Sequence, residues 1–222
     1  MKTTLLFLSV FLTTALFGQK STDCSRTAVA LEKNEICLVE FDGYLECYLK
    51  FKKELDLFGD DLNQTLGWYL AKADYLDWLV TRPIPPLNVN IKVFIPKYFK
   101  GKKISRLEYE QLKSLLEAGE TEKAILEVLN EGDISLPIES IQELSARTIN
   151  ENIFSNTSIT QSESNGNKIN QLMNLNYIFI EEKGIVICTA LYSRLVDSKS
   201  ITDLLSISRR FNLSLHESNI NR

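Results

Sequence analysis

The chain has 222 residues, a formal net charge of −4, 44% hydrophobic residues and 24% charged ones. That hydrophobic share can fill a core, and nine glycines and five prolines are too few for a fibrous or low-complexity chain. Mild acidity argues against a nucleic-acid binder, whose contact face is usually basic, and the length fits one domain or two small ones.

Met1-Lys2-Thr3-Thr4 is a short basic start, followed by an uncharged apolar run from Leu5 to Phe17 and then Gly18-Gln19-Lys20. This is the pattern of a secretory signal peptide cleaved near Gly18/Gln19, and the run is short of the ~20 apolar residues that a spanning helix needs. The expectation is a leader over 1–18 and a mature α+β domain over 19–222, secreted or periplasmic, with no transmembrane anchor after cleavage. Losing Lys2 with the leader leaves a net charge of −5.

Four cysteines remain: Cys24, Cys37, Cys47 and Cys188. In an oxidising compartment an even count suggests two disulfides. If residues 36–57 are helical, Cys37 and Cys47 lie ~15 Å apart along the axis. If Asp42-Gly43 turns a hairpin, the two point to opposite faces. Either way a Cys37–Cys47 bond, which needs Cα atoms within ~7 Å, is excluded. The remaining pairings are Cys24–Cys37 with Cys47–Cys188, or Cys24–Cys47 with Cys37–Cys188.

Taken in chain order, Cys37, Phe41, Tyr44, Tyr48, Phe51, Leu55 and Phe58 form a helical stripe, which resumes at Leu62, Leu66, Tyr69, Ala73, Leu76 and Val80. The two stripes predict an N-terminal helical hairpin, with a β-hairpin at Asp42-Gly43 as the rival reading. Pro83-Ile84-Pro85-Pro86 ends the second helix, and a sub-domain boundary could fall at 82–88. Val89, Ile91, Val93 and Ile95 alternate as a strand near 89–95. Ser105-Arg106-Leu107-Glu108 is a capping box opening a helix to about Ala118. A helix from Thr121 to about Asn130 follows, closed by Gly132, and a third short helix after Pro137 carries Ile138, Ile141 and Leu144. The polar run from Ser155 to Asn170 reads as a mobile surface loop. Tyr177–Ile180 and Ile185–Cys188 flank Glu181-Glu182-Lys183-Gly184 as a hairpin near 176–191, buried on both faces. A final helix covers about Ser200–Phe211. The strand and hairpin are expected to form one small sheet covered by helices.

No catalytic or cofactor signature accompanies these elements: no Gly-x-Ser-x-Gly turn, phosphate loop, dinucleotide fingerprint, calcium loop or zinc motif. No cofactor and no metal are expected. The single His216, six residues from the C-terminus, reads as a surface residue in a fraying tail rather than a catalytic base. Asp42 with Glu46, and Asp74 with Asp77, could share helix faces as carboxylate pairs. Trp68, Tyr69, Tyr75 and Trp78 could stack on a sugar beside the second pair. Asn63, Asn156 and Asn212 stand in glycan-acceptor triplets. The sharpest charge feature is Lys97, Tyr98, Lys100, Lys102, Lys103 and Arg106, basic residues with an aromatic among them, which could grip an anionic polymer or headgroup. The functional expectation is a secreted or periplasmic, non-enzymatic binding protein whose partner is a macromolecule of the envelope or outside the cell, not nucleic acid. The alternatives are a carboxylate-dependent hydrolase of polysaccharide or peptidoglycan using Asp74 and Asp77, and a secreted effector or immunity protein.

Overall fold

A computed structural model describes residues 24, 27–56, 61–81, 89–118, 138–164 and 167–220. The leader, the 82–88 connection and the helix expected over 121–130 lie outside the described residues. The elements are β1 (Ala28–Leu31), β2 (Asn34–Cys37), β3 (Tyr44–Glu46), α1 (Lys52–Leu55), β4 (Asn63–Ala71), α2 (Lys72–Thr81), β5 (Val89–Pro96), α3 (Arg106–Glu117), β6 (Ile138–Asn150), β7 (Ile153–Ser164), β8 (Asn167–Ile180), β9 (Ile185–Arg194) and α4 (Ser198–Glu217). β1 and β2 form a small ribbon; the others make a seven-stranded antiparallel sheet in the order β3-β4-β5-β9-β8-β7-β6.

The expected strand and hairpin are present and adjacent, since Val93 pairs with Thr189 and Tyr177 with Cys188. The surrounding architecture corrects the expectation of a helical hairpin over a small sheet. Gly43 sits at φ +83°, a left-handed conformation that stops any helix there, so the first stripe becomes β2, a turn, β3 and one turn of helix. In the second stripe, only Lys72–Thr81 is helical. Its first half is β4, where a bulge between Thr65 and Gly67 lets Leu66 and Tyr69 share one face three residues apart. A bulged strand thus imitates a helical period. The same holds for the helix expected after Pro137. That segment is β6, whose bulges at 138/140, 143/145 and 148/150 interrupt strict alternation three times.

The polar run at 155–170 is also not a loop. It forms most of β7 and the start of β8, paired residue by residue from Ile153–Ile178 to Ser164–Asn167. Within it, the side chains of Ser155 and Thr157 are buried in a polar cluster beneath α4, as described below.

The sheet separates two cores. On one face α4 lays Leu204, Phe211 and Leu215 over Leu66, Tyr69, Ile91, Ile178 and Ile187, each large side chain contributing roughly 2 kcal/mol by burial. Phe211 meets Tyr69 and Phe41 edge-on at 5.0 and 5.2 Å. On the opposite face α3 seats Tyr109 and Leu116 against Phe94, Phe154, Phe179, Val186 and Cys188. Tyr109 stacks on Phe179 at 4.9 Å, and its hydroxyl donates to the Tyr177 carbonyl at 3.0 Å. The α3 capping box is present in full, with Ser105 and Glu108 exchanging bonds.

Cys24 and Cys37 lie 5.4 Å apart between Cα atoms and are bonded. Cys47 and Cys188 are buried free thiols, which corrects both expected pairings of Cys188. The reason is topological. Cys47 sits beside β4 at one sheet edge and Cys188 on β9, so β4 and β5 intervene; three strand spacings amount to about 14 Å. Burial pushes the Cys47 thiol up to about 12 and raises that of Cys188 as well.

Candidate functional site

The turn after β5 is built by short-range constraints. The Lys97 amide donates to the Leu62 carbonyl at 2.8 Å, those of Phe99 and Lys100 to Pro96 and Lys97, and that of Lys102 to Phe99. Gly101 closes the reversal at φ +72°. The Ile104 amide then donates to the Gly184 carbonyl at 2.7 Å, which docks the turn onto the β8–β9 connection. Phe99 packs inward against both cores, whereas Tyr98 is 73% exposed. Lys97, Lys100, Lys102 and Lys103 all face solvent. The Lys102 ammonium lies 3.3 Å from the centroid of the Tyr98 ring. Among the described residues these four lysines form no ion pair or side-chain hydrogen bond.

Arg106 differs from its neighbours. It bridges to Glu181, donates to Asn152 Oδ1 at 2.6 Å and the Glu151 carbonyl at 3.1 Å, and covers the Phe179 ring at 4.9 Å. Its charge is used inside the fold. Of the six residues singled out by sequence, five therefore share an outward turn and the sixth anchors its end.

The members of the two carboxylate pairs lie in different surroundings. Asp74 is buried in the first turn of α2 while Asp77 is exposed. Asp42 lies in the turn before β3 near Lys72, at 4.0 Å. Glu46 Oε1 accepts from the Tyr48 and Trp68 amides, and burial holds this carboxyl above its ordinary range. Sequence reasoning assigned Glu46 to a helix; its strand position locks the chain between β3 and α1. The four aromatics also separate. Trp68, Tyr75 and Trp78 gather with Phe51, but Tyr69 faces α4 on the other side of the sheet.

His216 is buried in α4 rather than in a fraying tail, because that helix runs on to Glu217. Its Nε2 has no hydrogen-bond partner among the described residues, and burial lowers its pKa. Of the acceptor asparagines, Asn212 is fully buried and bonded through its amide to Ser208.

The feature that sequence reading missed is a buried polar cluster beneath α4. Asn174 Nδ2 donates to Ser155 Oγ and Thr157 Oγ1 at 2.9 and 2.7 Å. Asn176 Nδ2 donates to Asn174 Oδ1 at 2.8 Å. The Thr189 hydroxyl donates to Asn212 Oδ1, and Ser208 Oγ donates to Asn174 Oδ1. The alternation of Asn174 and Asn176 with apolar neighbours was the available signal. The cluster is neutral and closed on itself, so it orders α4 over the sheet and offers no chemistry.

Among the described residues no group of three or more His, Cys, Asp and Glu could hold a metal, and no helix is long and apolar enough to cross a membrane. No family model matches the chain, and no curated protein does. Among solved structures it is similar to the Ran-binding protein Mog1p of Saccharomyces cerevisiae, with a TM-score of 0.46 and 11% identity over 86% of this chain and 93% of that one. A single-substitution mutant of the protein Mog1 gives a TM-score of 0.41 and 12% identity over 87% and 92%. Likenesses of this strength carry no argument about activity or partner.

Proposed function

We propose that this protein is an exported, non-enzymatic binding protein of the cell envelope or its surroundings, and that the Lys97–Lys103 turn is its contact surface. The observation that carries this reading is the set of four exposed lysines that form no ion pair or side-chain hydrogen bond among the described residues, on a turn tied to the sheet by backbone bonds. In a chain with a net charge of −4, a local cluster of cations that the fold does not use is available to an anionic macromolecule. The leader and the Cys24–Cys37 bond agree with an oxidising compartment outside the cytoplasm. The test is retention of the protein on an anionic resin and on an envelope fraction. The Lys97→Glu, Lys100→Glu, Lys102→Glu, Lys103→Glu variant should lose both; unchanged retention would overturn the assignment of the surface.

A further inference from the structure

We infer that the anionic partner of this turn is a phospholipid bilayer surface, with Tyr98 and Leu62 entering the interface and the lysines lying over headgroup phosphates. The inference rests on the contact surface proposed above and adds its ligand class.

Three observations favour a planar lipid surface over an acidic peptide or glycan. The first is shape. Lys97, Tyr98, Lys100, Gly101, Lys102 and Lys103 are all exposed on a chain reversal, so the site is convex. Peptides and sugars are usually held in grooves or pockets, whereas a convex turn can rest on a plane. The second is the kind of cation. The outward cations of the turn are all lysines, compact charges without a fork, while the forked guanidinium of Arg106 is occupied by Glu181. Carboxylate recognition favours the fork; a diffuse layer of phosphates does not require it.

The third is the pairing of apolar and basic groups. The Lys97–Leu62 backbone bond sets Leu62, 49% exposed, beside the turn that carries Tyr98. Tyrosine is enriched at membrane–water interfaces, where its ring is apolar and its hydroxyl stays wet. Exposed apolar tips among lysines combine the two contributions used by peripheral membrane binders. Glu32 beside Gly101 and Glu182 in the adjacent connection moderate the charge.

The test is co-sedimentation of the protein with vesicles of phosphatidylglycerol and phosphatidylcholine in equal parts, against vesicles of phosphatidylcholine alone. All variants carry the same N-terminus, so any contribution of the leader cancels. The protein should sediment with the anionic vesicles and be released by salt. Each lysine near such a surface is worth roughly fivefold in partition, so Lys97→Gln/Lys100→Gln should lower binding on the order of 25-fold. Tyr98→Ala should weaken it several-fold while leaving the salt dependence in place. Equal binding of the lysine variant and the parent, or equal binding to both vesicle types, overturns the inference. Retention on polyglutamate or an anionic resin without vesicle binding also overturns it, but leaves the proposed contact surface standing for a soluble polyanion. Loss of both removes the two together.

Discussion

Two groups of polar residues are treated in opposite ways by this fold. Beneath α4, Asn174, Asn176, Ser155, Thr157, Thr189, Ser208 and Asn212 are buried and bonded to one another. After β5, Lys97, Lys100, Lys102 and Lys103 stand in solvent and bond to no side chain among the described residues. A buried polar group costs free energy unless it is paired, so the first set must be complete to exist at all. Among the described residues, no ion pair or side-chain hydrogen bond uses the second. Polar groups that the fold consumes describe stability, and those it leaves over are where a partner should be sought.

The strongest way to break this contrast is Asn174→Ala. It leaves Ser155, Thr157, Asn176 and Ser208 short of a partner, so unfolding in urea should show a loss of about 3 kcal/mol. Binding by the fraction that remains folded should be unchanged. A loss under about 1 kcal/mol would mean that water or rearrangement satisfies the cluster. Next in size is the Cys24–Cys37 bond. Cys37 is held through its own backbone by Asn219, whose side chain bonds both its amide and its carbonyl at 2.9 Å. That contact fixes β2 even without the bridge. Cys24→Ser should therefore cost about 2–3 kcal/mol through the unfolded chain, with the β1–β2 ribbon still protected in hydrogen exchange.

Ser105→Ala removes the cap that follows the basic turn and should cost about 1 kcal/mol in denaturant midpoint measurements. His216 is an exception on the buried side, since its Nε2 has no partner among the described residues. Burial lowers its folded-state pKa below the ordinary 6.5, while Glu182 and Glu217 oppose the shift. The unfolded chain therefore binds the proton more readily. His216 should leave stability intact above that value and reduce it as pH falls through 6.5 towards the folded-state pKa. A His216→Gln variant should show a flatter acid limb in thermal melts; an unchanged limb would place the titration elsewhere. The smallest effect belongs to the turn itself, where Lys97→Gln/Lys100→Gln should change stability by no more than ~0.5 kcal/mol.

What the sequence made legible follows the same division. The strand over Val89–Pro96, the Tyr177–Cys188 hairpin, the Ser105 cap and the last helix were readable because propensity, period and turn chemistry agree there. The helical hairpin was misread because the bulge at Thr65/Gly67 puts Leu66 and Tyr69 on one face at a helix-like spacing. β6 misled in the same way, with three bulges in thirteen residues. Ser155–Asn170 has the composition of a loop, with too few apolar residues to mark a strand by alternation. Ser155 and Thr157 are buried through Asn174, which in turn accepts from Ser208 of α4, contacts that exist only in the folded chain. The basic turn was visible as a charge cluster, but the diversion of Arg106 to Glu181 needed the β8–β9 connection beside it.

The most direct test of the central claim is envelope-fraction retention of the variant in which Lys97, Lys100, Lys102 and Lys103 are all changed to Glu, measured beside its urea midpoint. The turn as contact surface predicts loss of retention with a midpoint close to that of the parent. Full retention at an unchanged midpoint would contradict it and place the partner's surface elsewhere on the molecule.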